Sequence, residues 1–178
     1  MKLFRKYMSG ALLVVAVITG GTLAGALEVR AQEKGAGLAQ QIQGSWSLFS
    51  IYNELDGKKT DVFGPNPRGS LLLTPDGHFA YLLMRESLPK FASNSRLKGT
   101  VEENQAVVQG SMAYFGTYSV GDDKEQTVNL HVVGSTFPNW DGQDQKRLMT
   151  VSGDELKMVN PTPSLGGGTN YIILKRAK

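Results

Sequence analysis

From Gly44 onward, short apolar runs alternate with polar turn signals. The runs are rich in aromatic and β-branched residues, and apolar and polar positions alternate within several of them, which is typical of β-strands. Asp56-Gly57 and Pro75-Asp76-Gly77 are tight-turn sequences between neighbouring runs. The pattern predicts eight strands, over residues 45–54, 68–74, 78–86, 115–121, 127–135, 145–152, 155–160 and 170–176.

One segment breaks this rhythm. Thr100 and Glu103 have the spacing of a capping box, and Val101, Val108 and Met112 recur near helical spacing, so a short helix is expected over 100–112. Eight consecutive strands joined mostly by hairpins, with one helix, favour an all-β fold, an eight-stranded antiparallel up-and-down barrel. A two-sheet sandwich is the alternative. A barrel of this size is either filled by side chains or holds one small ligand.

The N-terminal region has the layout of a secretory signal. Three basic residues precede an apolar segment from about Met8 to Leu27, with small residues at its end. Cleavage after Ala31 is favoured, cleavage after Ala26 also fits, and an uncleaved membrane anchor is the remaining alternative. We therefore expect export to the periplasm or the extracellular space. The expected organisation is a signal peptide at 1–31, a flexible lead at 32–43 that ends in a short helical turn, and a barrel at 44–178.

Removal of the signal changes the charge balance. Cleavage after Ala31 removes four of the 19 basic residues and one of the 16 acidic residues, which leaves the mature chain neutral. The sequence thus gives no reason to expect a nucleic-acid partner, and membrane contact is expected only if the signal remains attached. The chain has no cysteine, which excludes disulfides, thiolate metal sites and a cysteine nucleophile. No obligate protein partner is inferred.

Several motifs in order resemble one family. The stretches "GSWSLFSIYNELDG", "GTYSV", "HVVGSTFPNWDGQDQKR" and "YIILKR" are similar to the bacterial and fungal lipocalin-like domain family, over about 42–176. The resemblance implies a lipocalin-like barrel. The wider lipocalin group carries small apolar molecules and includes cyclases and isomerases. Gly44, Trp46 and Arg176 match in kind and order the lipocalin residues that close the narrow end of the barrel, so a structural role is expected for them.

The strand "VNLHVV" poses a question of sidedness. Alternation places Asn129 and His131 on one face and apolar residues on the other. The polar face is either the outer wall of the barrel or part of a polar cavity lining. The next strand offers one of two sets to the interior, either Gln145, Arg147 and Met149 or Lys146, Leu148 and Thr150.

An inward Arg147 would supply a forked donor for a carboxylate or carbonyl group. A buried arginine without an acidic partner is unfavourable, so Asp144, Glu86 or a ligand anion is expected beside it. The alternative is an arginine that bridges to a loop carboxylate on the surface. Trp140, in the corner between the two strands, is expected at the mouth of the barrel.

Three functions follow from these features. The favoured one is a small-molecule-binding protein for an apolar or amphipathic ligand with a polar head, which calls for a cavity of roughly 300 Å³ or more. An isomerase or cyclase using His131 as acid or base is the second, and a filled barrel that binds a protein through Trp140 is the third. Two isolated histidines predict no metal site, and no cofactor motif is present. The candidate ligand-binding residues are Asn129, His131, Arg147, Trp140, Tyr118, Tyr81 and Met149.

Overall fold

The computed structural model describes residues 37–121 and 124–178, and the predicted signal peptide and the first part of the lead lie outside these residues. The described chain consists mainly of antiparallel strands, with two short α-helices and two single-turn 3-10 helices. In chain order the elements are α1 (Leu38–Ile42), β1 (Gly44–Leu55), β2 (Lys58–Asp61), β3 (Arg68–Leu73), β4 (His78–Met84), η1 (Arg96–Lys98), α2 (Val101–Gly110), β5 (Ser111–Val120), β6 (Thr127–Ser135), η2 (Pro138–Trp140), β7 (Asp144–Ser152), β8 (Glu155–Asn160) and β9 (Thr169–Arg176).

Eight of the strands form a closed barrel. Strands β3 to β9 pair antiparallel in chain order, and β1 joins β3 on one side and β9 on the other. The predicted eight-stranded antiparallel barrel is confirmed, and the sandwich alternative is wrong because the β1–β9 pairing leaves no second sheet. The ninth strand, β2, pairs only with the far end of β1. Its sequence, Lys-Lys-Thr-Asp, is fully exposed and has no apolar alternation to reveal it.

The local signals in the sequence explain several element boundaries. Asp56 and Gly57 both have positive φ angles, 52° and 75°, as a two-residue hairpin between β1 and β2 requires. At α2, the Thr100 hydroxyl accepts a hydrogen bond from the Glu103 amide at 3.2 Å, and the Glu103 carboxylate accepts one from the Thr100 amide at 2.9 Å. The expected capping box and short helix are therefore present, and β5 begins directly after the helix.

The narrow end of the barrel is closed by Trp46 and Arg176. The two residues are paired across β1 and β9, and the Arg176 guanidinium lies 4.1 Å from the centre of the buried Trp46 ring. Arg176 also donates to the carbonyl oxygens of Gln41 and Gln43, both at 3.1 Å. Gly44 has a φ of 113°, a conformation that favours glycine, and any Cβ there would lie 3.4 Å from the Arg176 guanidinium.

Helix α1 completes this closure. Its apolar residues, Leu38 and Ile42, are buried in the barrel core, and the Ile42 carbonyl accepts a hydrogen bond from the Trp46 indole at 2.7 Å. The expected helical turn at the end of the lead is thus observed. Because the helix packs into the core, residues 38–42 belong structurally to the barrel and not to a flexible lead.

The opposite end, here called the mouth, contains the longer connections. These are the β2–β3, β4–β5, β6–β7 and β8–β9 segments. Helix α2 lies in the β4–β5 segment, and 3-10 helix η2 lies in the β6–β7 segment. In the described part of the chain, no helix is long and apolar enough to cross a membrane.

Candidate ligand-binding site

A cavity of about 50 Å³ lies in the mouth half of the barrel. Most of its wall is apolar, because inward-facing positions of the strands carry aliphatic and aromatic side chains. Six polar residues also contribute to the wall. The apolar residues are Ile51, Val62, Phe63, Leu83, Met112, Trp140, Met158, Leu165 and Ile172, and the polar ones are Tyr81, Tyr114, Arg147, Asn160, Ser164 and Asn170.

Arg147 is the most unusual of these residues. Strand alternation on β7 directs it inward, and it is only 1% exposed. Its guanidinium donates to the Lys146 carbonyl at 2.9 Å and to the side-chain oxygen of Gln145. No ion pair joins Arg147 to a carboxylate among residues 37–121 and 124–178. A full positive charge therefore lies inside the barrel with only neutral partners.

Two tyrosines lie beside this charge. Tyr81 and Tyr114 are both buried, and their rings contact each other edge to face with centroids 5.6 Å apart. The Tyr81 hydroxyl has no hydrogen-bond partner, whereas Tyr114 receives a hydrogen bond from Arg147. Burial raises the pKa of both phenols, well above the ordinary value for Tyr81, and the positive charge of Arg147 only partly opposes this. Both tyrosines are consequently neutral, and Tyr81 has a free O–H to donate.

A row of asparagines forms a second polar region of the barrel interior. Asn53, Asn170 and Asn160 are paired directly across β1, β9 and β8. The Asn53 amide nitrogen donates to the Gly167 carbonyl at 3.2 Å, and the Asn160 side-chain oxygen accepts from the Thr162 amide at 3.1 Å. The side-chain oxygens of Asn53 and Asn170 are buried without a partner. This region therefore offers hydrogen-bond acceptors, in contrast to the donors around Arg147.

Loop side chains cover the cavity at the mouth. Trp140, on η2, contacts Tyr114 edge to face with ring centroids 5.1 Å apart. Leu165, in the β8–β9 loop, is about half exposed. Together with Val62 it separates the cavity from an open groove of about 770 Å³ beside the β1–β2 hairpin.

The cavity is smaller than the roughly 300 Å³ expected for an organic ligand. A space of about 50 Å³ holds no more than a few water molecules. A larger molecule would need a wider cavity, and Trp140 and Leu165 are two of the lining side chains on its mouth side. Both lie on connecting segments, which are easier to displace than the paired strands.

The structure separates the predicted site residues into two groups. Arg147, Tyr81 and Trp140 meet at the cavity, and the inward set on β7 is the one that contains Arg147. The inward orientation considered for Asn129 and His131 is wrong, because both are exposed on the outer face of β6. His131 instead pairs with exposed Asp144 at 2.8 Å on the outer wall.

Two further expected residues lie away from the cavity. Tyr118 is at the narrow end, where its hydroxyl donates to the Thr74 carbonyl at 2.8 Å. Met149 is completely buried in the core and does not line the cavity. The placement of both in the binding site is therefore wrong, since the inward face of each strand extends well below the cavity.

Sequence reasoning missed Tyr114 and the asparagine row. Tyr114 lies just before the fourth predicted strand, at 115–121, whereas the observed strand already begins at Ser111. Asn170 lies in phase with the inward-facing Ile172 and Leu174, so a polar residue at an inward position was the available signal.

One family of known proteins matches this chain over most of its length. The sequence profile of the lipocalin-like domain family matches residues 43–174. A protein of Aspergillus oryzae named as a 4′-hydroxy-3′-methoxypropiophenone carrier protein is 33% identical over 86 residues, which cover 44% of this chain and 78% of the relative. A crystal structure of a lipocalin-like protein from Bacteroides uniformis aligns with a TM-score of 0.43 and 14% identity, over 77% of this chain and 99% of that one. The profile match spans most of the chain and confirms the resemblance seen in the sequence, so the protein belongs to the lipocalin-like domain family.

Proposed function

We propose that this protein is exported and holds a small, mostly apolar molecule with a polar head inside the barrel. The head lies against Arg147 and the Tyr81 hydroxyl, and the body lies among the apolar side chains of the cavity wall. Export is supported by the signal-like sequence of residues 1–31. A carrier role is supported by family membership and by the carrier name of the Aspergillus relative.

The observation that carries the proposal is the burial of Arg147 at the cavity. Buried charged groups are normally paired, because the interior of a protein solvates them poorly. Among the described residues, Arg147 has neutral partners only, and the adjacent Tyr81 hydroxyl has none. The unmatched charge and the free hydroxyl are both explained if a ligand supplies a polar acceptor group there.

The two other functions considered from the sequence are less well supported. The isomerase or cyclase hypothesis rested on His131, which lies on the outer wall and away from the cavity. The protein-interaction hypothesis rested on Trp140 as an exposed anchor. Trp140 is half buried, and it contacts Tyr114 and Phe137.

The fluorescence of Trp140 provides a direct test. The protein contains two tryptophans, and Trp46 is buried at the narrow end beneath Arg176. Titration with an organic extract of the native host should change tryptophan emission saturably in the wild type. The Trp140→Phe variant, which retains Trp46, should show no such change. An emission change that survives in this variant, or the absence of any saturable change in the wild type, would contradict binding at the cavity.

A further inference from the structure

The charge in the cavity wall specifies the ligand more closely than a polar head does. Resting on the proposed function, we infer that the ligand is an organic acid whose carboxylate, or an equivalent singly charged oxyanion, pairs with Arg147 and accepts a hydrogen bond from Tyr81. The inference concerns the class of ligand, since a neutral carbonyl or alcohol would also satisfy the more general proposal.

The described residues supply no counter-charge to Arg147. The carboxylates expected beside an inward Arg147 were Asp144 and Glu86. Asp144 is exposed and pairs with His131 on the outer wall, and Glu86 is exposed and accepts a hydrogen bond from Asn66 at 3.3 Å. Neither neutralises the guanidinium.

The hydrogen-bond partners that Arg147 has among the described residues are neutral and leave its charge in place. A guanidinium has five N–H donors and remains protonated in proteins. The Lys146 carbonyl and the Gln145 amide oxygen accept two of its hydrogen bonds, and the Tyr114 hydroxyl accepts a further one. These groups contribute partial charges only, so the buried net charge of +1 remains.

The free group beside Arg147, the Tyr81 hydroxyl, can donate a hydrogen bond. The Tyr81 hydroxyl is buried, has no partner, and faces the same cavity as Arg147. A neutral phenol next to a guanidinium favours an acceptor on the ligand, because both groups can then donate hydrogen bonds to it. Two donors, one of them charged, are the arrangement that favours a carboxylate over a neutral oxygen.

The remaining wall selects the body of the acid. Outside the polar groups, the cavity is lined by aliphatic and aromatic side chains, including Ile51, Leu83, Met112, Met158 and Ile172. An inorganic anion would leave these side chains without contacts. An acid with an alkyl or aryl body would bury apolar surface against them.

Pairs of compounds that differ only in charge test the inference. Binding of 4-phenylbutanoate and 4-phenylbutanamide, and of decanoate and decanamide, is measured by calorimetry and by Trp140 fluorescence at neutral pH. In the wild type, at least one acid should bind about tenfold or more tightly than its amide, because a charge-assisted hydrogen bond replaces a neutral one. In Arg147→Met the acid and its amide should bind about equally tightly.

Lys146→Met is the matched control. Lys146 is the neighbouring residue on β7, but it points outward and pairs with Glu125 at 3.6 Å. The control removes the same charge from the same strand, so it should keep the preference for the acid. Thermal unfolding of both variants checks that each is folded, and Arg147→Gln provides a second neutral variant.

The outcomes separate the two proposals. Equal binding of acid and amide in the wild type would overturn the inference and leave the more general binding function in place. A preference for the acid that persists in folded Arg147→Met and Arg147→Gln would also overturn it, since the charge would then be recognised elsewhere. Binding of neither member of either pair would count against both proposals.

Discussion

Replacement of Tyr81 by phenylalanine should stabilise the empty protein. The change removes one hydroxyl, which is buried and has no hydrogen-bond partner, and keeps the ring and its edge-to-face contact with Tyr114 at 5.6 Å. A buried polar group left unsatisfied costs about 1–3 kcal/mol, and most of this should be recovered. For a chain of this size the melting temperature should rise by about 3–9 °C.

Urea denaturation of the ligand-free protein measures this gain as a free energy of unfolding. Tyr171→Phe is the control, because Tyr171 lies on the outer wall, stacked on Tyr52 with ring centroids 5.2 Å apart, and is not fully buried. Its effect should stay within about 0.5 kcal/mol. The same Tyr81 variant should bind a ligand about two- to tenfold more weakly, since one hydrogen bond is lost.

A loss of stability of about 1 kcal/mol or more in Tyr81→Phe would refute the reasoning. Such a loss would mean that the hydroxyl is already satisfied in the empty protein, for example by a buried water molecule. The Tyr81 hydroxyl would then have no need of a ligand acceptor. The opposite signs predicted for stability and for affinity are what distinguish a binding residue from a structural one.

Three further predictions concern the frame of the site. Arg176→Met should lower the free energy of unfolding by about 2–3 kcal/mol, because the contact with the Trp46 ring and two hydrogen bonds are lost. Lys175→Met, the control, should lower it by under about 1 kcal/mol, and urea denaturation measures both. The free energy of unfolding should fall as pH rises above about 10. The unfolded chain then loses phenolic protons, whereas Tyr81 and Tyr114 keep theirs in the folded protein because their pKa is raised. A melting temperature that stays constant through this pH range would contradict the prediction. Gly168→Ala should lower the free energy of unfolding by about 1–3 kcal/mol, because φ is 82° and the new Cβ would lie 2.6 Å from the Glu54 carbonyl oxygen. Gly166→Ala should cost less, since φ is also positive there but no atom lies within 4 Å of the new Cβ. Equal melting temperatures of the two variants would refute this difference.

The fold was largely predictable because its signals are local. The Pro75-Asp76-Gly77 turn joins β3 and β4 as a hairpin, and the capping box of Thr100 and Glu103 begins the predicted helix. Strand β2 was not predictable in this way. All four of its residues are exposed, and it is held by pairing with the far end of β1.

The site was only partly predictable because sidedness is a tertiary property. On β7, the set with Arg147 contains Met149 and Val151 and the other set contains Leu148, so apolar residues occur on both faces and the pattern alone did not choose between them. The barrel places the set with Arg147 inside and leaves Leu148 exposed. On β6 the apolar set was clear, and burying Leu130 and its neighbours necessarily turns His131 outward.

Native mass spectrometry of the protein purified from its own host tests the central claim most directly. The account predicts a retained organic adduct of defined mass on the wild type, and its loss or strong reduction on folded Arg147→Met purified in the same way. The Lys146→Met protein should carry the same adduct as the wild type. Repeated absence of any adduct on the wild type, or an adduct that persists unchanged on Arg147→Met, would contradict a ligand held by Arg147 in the barrel.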